Sequence, residues 1–187
     1  MNENTIELDS VSLSFIQHFG EMGSRWGINR TVGQMYALLV IHEQALNPDQ
    51  IAATLSLSRS NVSMGIKELS AWNLLRTAPM PGDRKTYYTT PEDVWEIART
   101  LIAERRKREI DPTLSMLRNT ILQGEQASND YAMSRIKDMH DLIELLVGWS
   151  EEMQTMQSSR LKKLFKLGSG VNKVLDATAR IAPKSKA

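Results

Sequence analysis

The chain of 187 residues contains no cysteine. That absence excludes disulfides, thiolate zinc sites and cysteine nucleophiles, and with nothing pointing to an oxidising compartment the cytoplasm is the expected location. Histidine is scarce: there are three, His18, His42 and His140. Neither His42-Glu43 nor His140-Asp141 is joined by a nucleophile or by metal-ligand spacing, so each reads as a surface or interface residue. Gly168-Ser169-Gly170 is too short for a phosphate-cradling loop and lacks a lysine partner. Neither an enzyme nor a cofactor is expected. No stretch approaches the roughly 18 apolar residues of a membrane span. The N-terminus carries Glu3, Glu7 and Asp9 where a secretion signal would be basic and then apolar, so neither export nor insertion is expected.

What is present is a globular composition, 41% hydrophobic and 24% charged, enough for one substantial core. The net charge of +1 hides an asymmetry. Residues 109–159 hold three cations against nine acids, whereas residues 160–187 hold eight cations against Asp176 alone.

Apolar periodicity divides the chain. Val11, Phe15, Phe19, Met22 and Trp26 recur at spacings of four and three, an amphipathic helix over 11–26. Residues 31–45 are more uniformly apolar, as in a helix buried on several sides. Asn47-Pro48-Asp49-Gln50 reads as a helix start, with an N-cap, a proline at the first helical position and a glutamine able to bond back. A short helix over 48–55 follows. Ser58 then caps a helix to about Trp72 whose buried stripe is Val62, Ile66 and Leu69, and Asn73 can end it in left-handed geometry. Two short helices joined through Ser56-Leu57-Ser58 make a helix-turn-helix. Pro81-Gly82-Asp83 between 74–80 and 84–90 predicts a β-hairpin, and a hairpin in that place is a wing.

Thr90-Pro91-Glu92-Asp93 starts another helix, running toward Ile110, and Asp111-Pro112 kinks or restarts it. Residues 123–129 read as a linker. Ala132, Ile136, Met139, Ile143, Leu146, Trp149, Met153 and Met156 then follow a near-heptad rhythm that suits either an internal core or a dimer seam. Leu161, Leu164, Phe165, Val171, Val174 and Leu175 form a stripe on a basic helix, with a break at Gly168-Ser169-Gly170 and a disordered tail over 183–187. That helix could lie on an anionic membrane surface, but packing on the acidic helix over 130–156 is the favoured reading. Arg105 to Arg108 spread around one helix beside Glu104 and Glu109, which favours a solvated or acid-paired segment over a nucleic-acid patch.

The stretches "SLSRSNVSMGIKELSAWNLL", "PGDRKTYYTTPEDVW" and "ERRKREIDP", with "FGEMGSRWGINRTVGQMYALL" upstream, resemble the GbsR branch of the MarR superfamily of bacterial winged-helix transcriptional regulators over residues 15–118. Asn73 departs from the family's usual glycine. The resemblance implies a homodimer, operator binding and an effector ligand. It places Phe15, Phe19, Ile136, Met139, Ile143, Leu146 and Trp149 in a dimer interface. The expected organisation is mainly α with a small β-hairpin wing: residues 1–28 a dimerisation helix, 29–110 a winged-helix DNA-binding domain, and 111–182 a C-terminal helical dimerisation region.

With Val62 at the centre of the buried stripe and 100° per residue, Ser60, Met64 and Lys67 fall opposite it and Asn61 and Ser63 on its flanks. That face suits a major groove. Arg59 in the first turn can reach guanine O6/N7 or a phosphate, Asn61 can pair with adenine, and Ser58, Ser60 and Ser63 allow close approach. Arg84 and Lys85 at the wing tip suit a neighbouring minor groove, with Asp83 orienting Arg84. Residues 47–90 hold five cations and three acids, so affinity should depend on dimerisation and on salt. The whole reads as a homodimeric repressor on pseudo-palindromic double-stranded DNA. The rival is a winged-helix protein-interaction module without sequence-specific DNA binding. Trp26, Tyr36 and Trp95 are candidate effector contacts, since aromatic faces can cage a quaternary ammonium such as choline.

Overall fold

The computed structural model describes residues 5–25, 27–124 and 130–167, and the chain divides after Arg105 into two compact units. Trp26, residues 125–129 of the expected linker, the far part of the basic helix with Val171, Val174 and Leu175, and the tail over 183–187 lie outside the described residues. No described helix is long and apolar enough to cross a membrane. The fold is mainly α with a small β-hairpin wing.

The first unit runs α1 (Ser10–Arg25), α2 (Arg30–Ile41), α3 (Pro48–Leu55), α4 (Arg59–Ala71), β1 (Arg76–Pro79), β2 (Thr86–Thr89) and α5 (Val94–Arg105). α2 is its hub: Met35 and Leu38 are fully buried, and with Leu39 they gather Ile16, Ile51, Val62, Ile66 and Leu69 from the helices around them. Its end shows how tertiary pairing overrides local pattern. The apolar run suggests a helix to Ala45, but α2 stops at Ile41 and His42 turns extended, because Leu46 must pair with the wing. Leu46 and Tyr88 exchange both backbone hydrogen bonds, at 2.9 and 2.8 Å.

α1 buries Ile16, Gly20 and Gly23, a different face from the Val11–Phe15–Phe19 stripe. It can lie close along α2 because Gly33 has no side chain: a Cβ there would stand 2.9 Å from the Phe19 carbonyl oxygen. Ahead of α1, the Ile6 amide donates to Thr54 Oγ1 at 3.1 Å, and Ile6 and Leu8 pack against the core. Residues 5–25 thus pack within the first unit.

The helix-turn-helix forms by the capping chemistry its residues dictate. Asn47 Oδ1 accepts from the Gln50 amide at 3.0 Å and Gln50 Oε1 accepts from the Asn47 amide at 2.9 Å, the reciprocal box that starts α3. Ser56 takes left-handed φ of 52° to close α3, and Ser58 Oγ accepts from the Asn61 amide at 3.1 Å to open α4. α4 ends where Asn73 turns left-handed and the Leu74 amide donates back to Leu69. That cap uses Leu74, so β1 begins at Arg76, later than the pattern alone suggests.

The hairpin pairs Arg76 with Thr89 and Pro79 with Thr86. Its tip turns at Pro81-Gly82, with Gly82 at φ 84° and the Asp83 amide donating to the Met80 carbonyl at 3.2 Å, the geometry of a type II turn. Asp93 starts α5 by accepting from the Trp95 amide at 3.0 Å.

The second unit opens with a π-helical turn (Arg106–Ile110) and continues through α6 (Asp111–Gln123), α7 (Asp130–Thr155) and α8 (158–167). Pro112 has no amide hydrogen to offer the preceding turn, and the wide π turn sits where that helical bond is missing. Ion pairs join the helices: Arg106 Nη1 to Glu151 at 2.7 Å and Arg118 to Glu144 at 3.2 Å. Arg106 is therefore acid-paired, and Arg105 of the first unit lies 6.0 Å over the Trp72 ring. Leu117, Met153 and Leu161 are buried in this unit.

Candidate nucleic-acid interface

α4 turns Val62, Gly65, Ile66 and Leu69 inward, which leaves the opposite face to solvent. Arg59, Ser60, Asn61, Ser63, Met64 and Lys67 are all exposed, as is the cap Ser58. Gly65 lets the helix sit down on Met35: a Cβ there would meet the Met35 sulfur at 2.6 Å. The helix is therefore seated by its small and apolar residues, and its polar side chains stand on the solvent side.

The caps also set the chemistry of the helix start. Ser58 Oγ is occupied as an acceptor, so its own hydrogen remains to donate. The first-turn amides and the helix dipole add a positive field where Arg59 stands, a place suited to a phosphate oxygen.

The wing brings a second set of groups. Asp83 at its tip is held from within: Oδ1 accepts from the Lys85 amide at 2.9 Å and Oδ2 from the Tyr87 hydroxyl at 2.8 Å. These bonds, the Lys85 amide first, hold the Asp83 carboxyl below its usual range. The carboxylate thus orders the turn through Lys85 and Tyr87; no bond from it to the Arg84 side chain is found among the described residues. The guanidinium of Arg84 and the ammonium of Lys67 have no ion-pair partner among the described residues.

Arg59 and Lys85 do have one, and they share it. Asp49, the second residue of α3, places Oδ2 at 3.1 Å from Lys85 Nζ and Oδ1 at 3.5 Å from Arg59 Nε. The hydrogen bond and charge of Asp49 hold the Lys85 ammonium above its usual value. The sequence marks Asp49 only as a first-turn acid. No local signal marks the pairing, because it forms only when the fold brings α3, α4 and the wing together.

Arg76 at the wing base is ion-paired with Glu96 of α5 and so is turned to structure. Beside it a cleft of about 900 Å³ opens between the end of α2, the 89–93 segment and the start of α5, carrying Glu43, Glu92 and Asp93. Tyr36 and Trp95 do not line it. Tyr36 is half-buried with a hydroxyl that finds no partner among the described residues, and burial raises its phenol well above the usual value.

Residues 26–86 match the model of the MarR family. The solved structure of a transcriptional regulator superposes with a TM-score of 0.63 at 16% identity, over 82% of this chain and 99% of that one. A transcriptional regulator from Thermotoga maritima gives 0.37 at 22% identity, over 78% of this chain and 92% of its own. No curated protein matches the chain. Over residues 26–86, from just past α1 to the first residue of β2, the chain is similar to the MarR family, and the fold of the solved regulator is shared across most of its length.

Proposed function

We propose that this chain is a sequence-specific DNA-binding transcriptional regulator of the GbsR branch, acting as a homodimer on pseudo-palindromic operators and repressing by blocking polymerase. The observation that carries this reading is the outer face of α4, where Arg59, Ser60, Asn61, Ser63 and Lys67 are exposed on a helix with a capped N-terminus. Such a face has the width and donor chemistry of a major-groove reader, and Arg84 and Lys85 on the hairpin suit an adjacent minor groove. The match of residues 26–86 to the MarR family supports it, as does the likeness to a solved transcriptional regulator.

The dimer is supported by apolar residues left outside. Met139, Leu146 and Trp149 on α7 are about half exposed, and Phe19 on α1 stacks on Phe15 at 4.4 Å while remaining 39% exposed. A second copy of the chain would bury these faces, and would place two recognition helices about 10 base pairs apart.

The test is recovery of bound fragments from sheared host DNA at about 150 mM salt, with Arg59→Ala alongside. Enrichment of a two-fold motif that the variant fails to enrich is the expected result. Flat recovery by both proteins overturns the reading and favours a winged helix turned to protein binding.

A further inference from the structure

Asp49 is the one carboxylate that ties the recognition helix to the wing among the described ion pairs. It is well anchored itself. The capping box of Asn47 and Gln50 fixes the turn it stands on, and its side chain is about two-thirds buried. Arg59, by contrast, is 89% exposed along its side chain, with little to restrict a long flexible stem.

The division of labour between the atoms is specific. Asp49 approaches Arg59 at Nε, 3.5 Å away, rather than at a terminal amino group. The two terminal amino groups are the pair that reads guanine O6/N7 or grips a phosphate side-on. The other carboxylate oxygen holds the Lys85 ammonium at 3.1 Å, so the wing cation and the helix cation are referred to one fixed point.

We propose that Asp49 is a positioning residue for operator recognition, orienting Arg59 for base reading and setting Lys85 beside it before DNA arrives. The inference rests on the DNA-binding reading above. It has two consequences that act in the same direction. Pre-orienting Arg59 lowers the ordering cost of the specific complex. A negative charge beside the phosphates penalises complexes that offer no base contact in return. Asp49 therefore raises the ratio of operator to random affinity while lowering affinity for random DNA.

The experiment uses the full-length protein, a duplex taken from the enriched fragments and a shuffled duplex of equal length, titrated across salt. Asp49→Asn keeps the size of the side chain and removes its charge. It is expected to bind the shuffled duplex roughly 3- to 10-fold more tightly, with a salt slope steeper by about one. It gains nothing on the operator, so discrimination falls by the same factor. Asp49→Glu, which restores the charge one methylene further out, recovers part of the ratio. In an Arg59→Ala background Asp49→Asn costs no further discrimination, because the group it positions is gone. The melting temperature, which a merely structural role would move, stays within about 3 °C of the parent.

Unchanged discrimination in Asp49→Asn, or an equal loss with and without Arg59, overturns the inference alone if the parent still prefers the operator and Arg59→Ala does not. A parent that shows no preference between the two duplexes overturns the inference together with the DNA-binding reading.

Discussion

Asn73 Nδ2 donates to Glu104 Oε1 at 2.8 Å while the Asn73 backbone itself stands at φ 53°. One residue thus ends α4 and reaches across to α5. Glu104 is only 7% exposed, so the bond satisfies a carboxylate with little access to water. Glycine, usual at this place in the proteins the chain resembles, would supply the turn and leave out the bond.

Replacing Asn73 with glycine should therefore destabilise the first unit although it relaxes the backbone. Leaving a buried acceptor without its partner costs about 1–3 kcal/mol, against the low end of the roughly 1–2 kcal/mol of a left-handed residue, since asparagine already tolerates that geometry. Asn73→Ala, which loses the bond and still strains the turn, should fall further. Thermal unfolding decides: a drop of about 2–8 °C is expected for the glycine variant. A melting point equal to the parent's would show that Glu104 does not depend on Asn73.

Lys67 and Arg59 should separate cleanly in binding experiments. Lys67 stands two turns along α4 with no ion-pair partner among the described residues, so it offers charge and little geometry. Lys67→Ala is expected to weaken operator and random DNA alike, and to reduce the salt slope by about one. A selective loss on the operator would instead make Lys67 a base reader.

The wing tip should respond to acid. Asp83 is held below the usual 3.8 by the Lys85 amide and the Tyr87 hydroxyl. A lowered carboxyl value contributes stability above pH 3.8 that is lost as pH falls through the depressed value. Carbonyl-detected NMR should find Asp83 titrating below 3.8, and Tyr87→Phe should move it part of the way back. Titration of Asp83 at or above that value in the parent would contradict the observed turn.

Leu146 is 54% exposed on α7. Leu146→Glu puts a charge into the proposed seam between two copies, and sedimentation at micromolar concentration should then find a monomer where the parent is a dimer. A parent that is already a monomer would remove the seam.

The elements legible from sequence were those whose ends carry their own chemistry. Asn47 with Gln50, Ser58 with its helix, and Asn73 all announce a start or a stop, and α3, α4 and the turn between them follow those signals within a residue. The outer face of α4 was equally legible, since Val62, Ile66 and Leu69 fix which side is inside. What escaped depends on partners distant in the chain. The end of α2 is set by Tyr88, 42 positions beyond its partner Leu46, and no local pattern reports it. On α1 the most conspicuous apolar stripe is not the buried one, because Gly20 and Gly23 let the helix pack through its smallest residues. Asp49 reads as an ordinary first-turn acid until the fold sets Arg59 and Lys85 on either side of it.

Leu46 and Tyr88 are joined by a reciprocal pair of backbone hydrogen bonds, with Leu46 in the core and Tyr88 packed against it. The tip between Met80 and Lys85 hangs from an anchor that does not share its residues. Substitutions at those few tip positions and on the exposed side of α4 would therefore leave the mounting of the hairpin in place, so that the surface these two elements present can vary while the frame that carries it stays fixed.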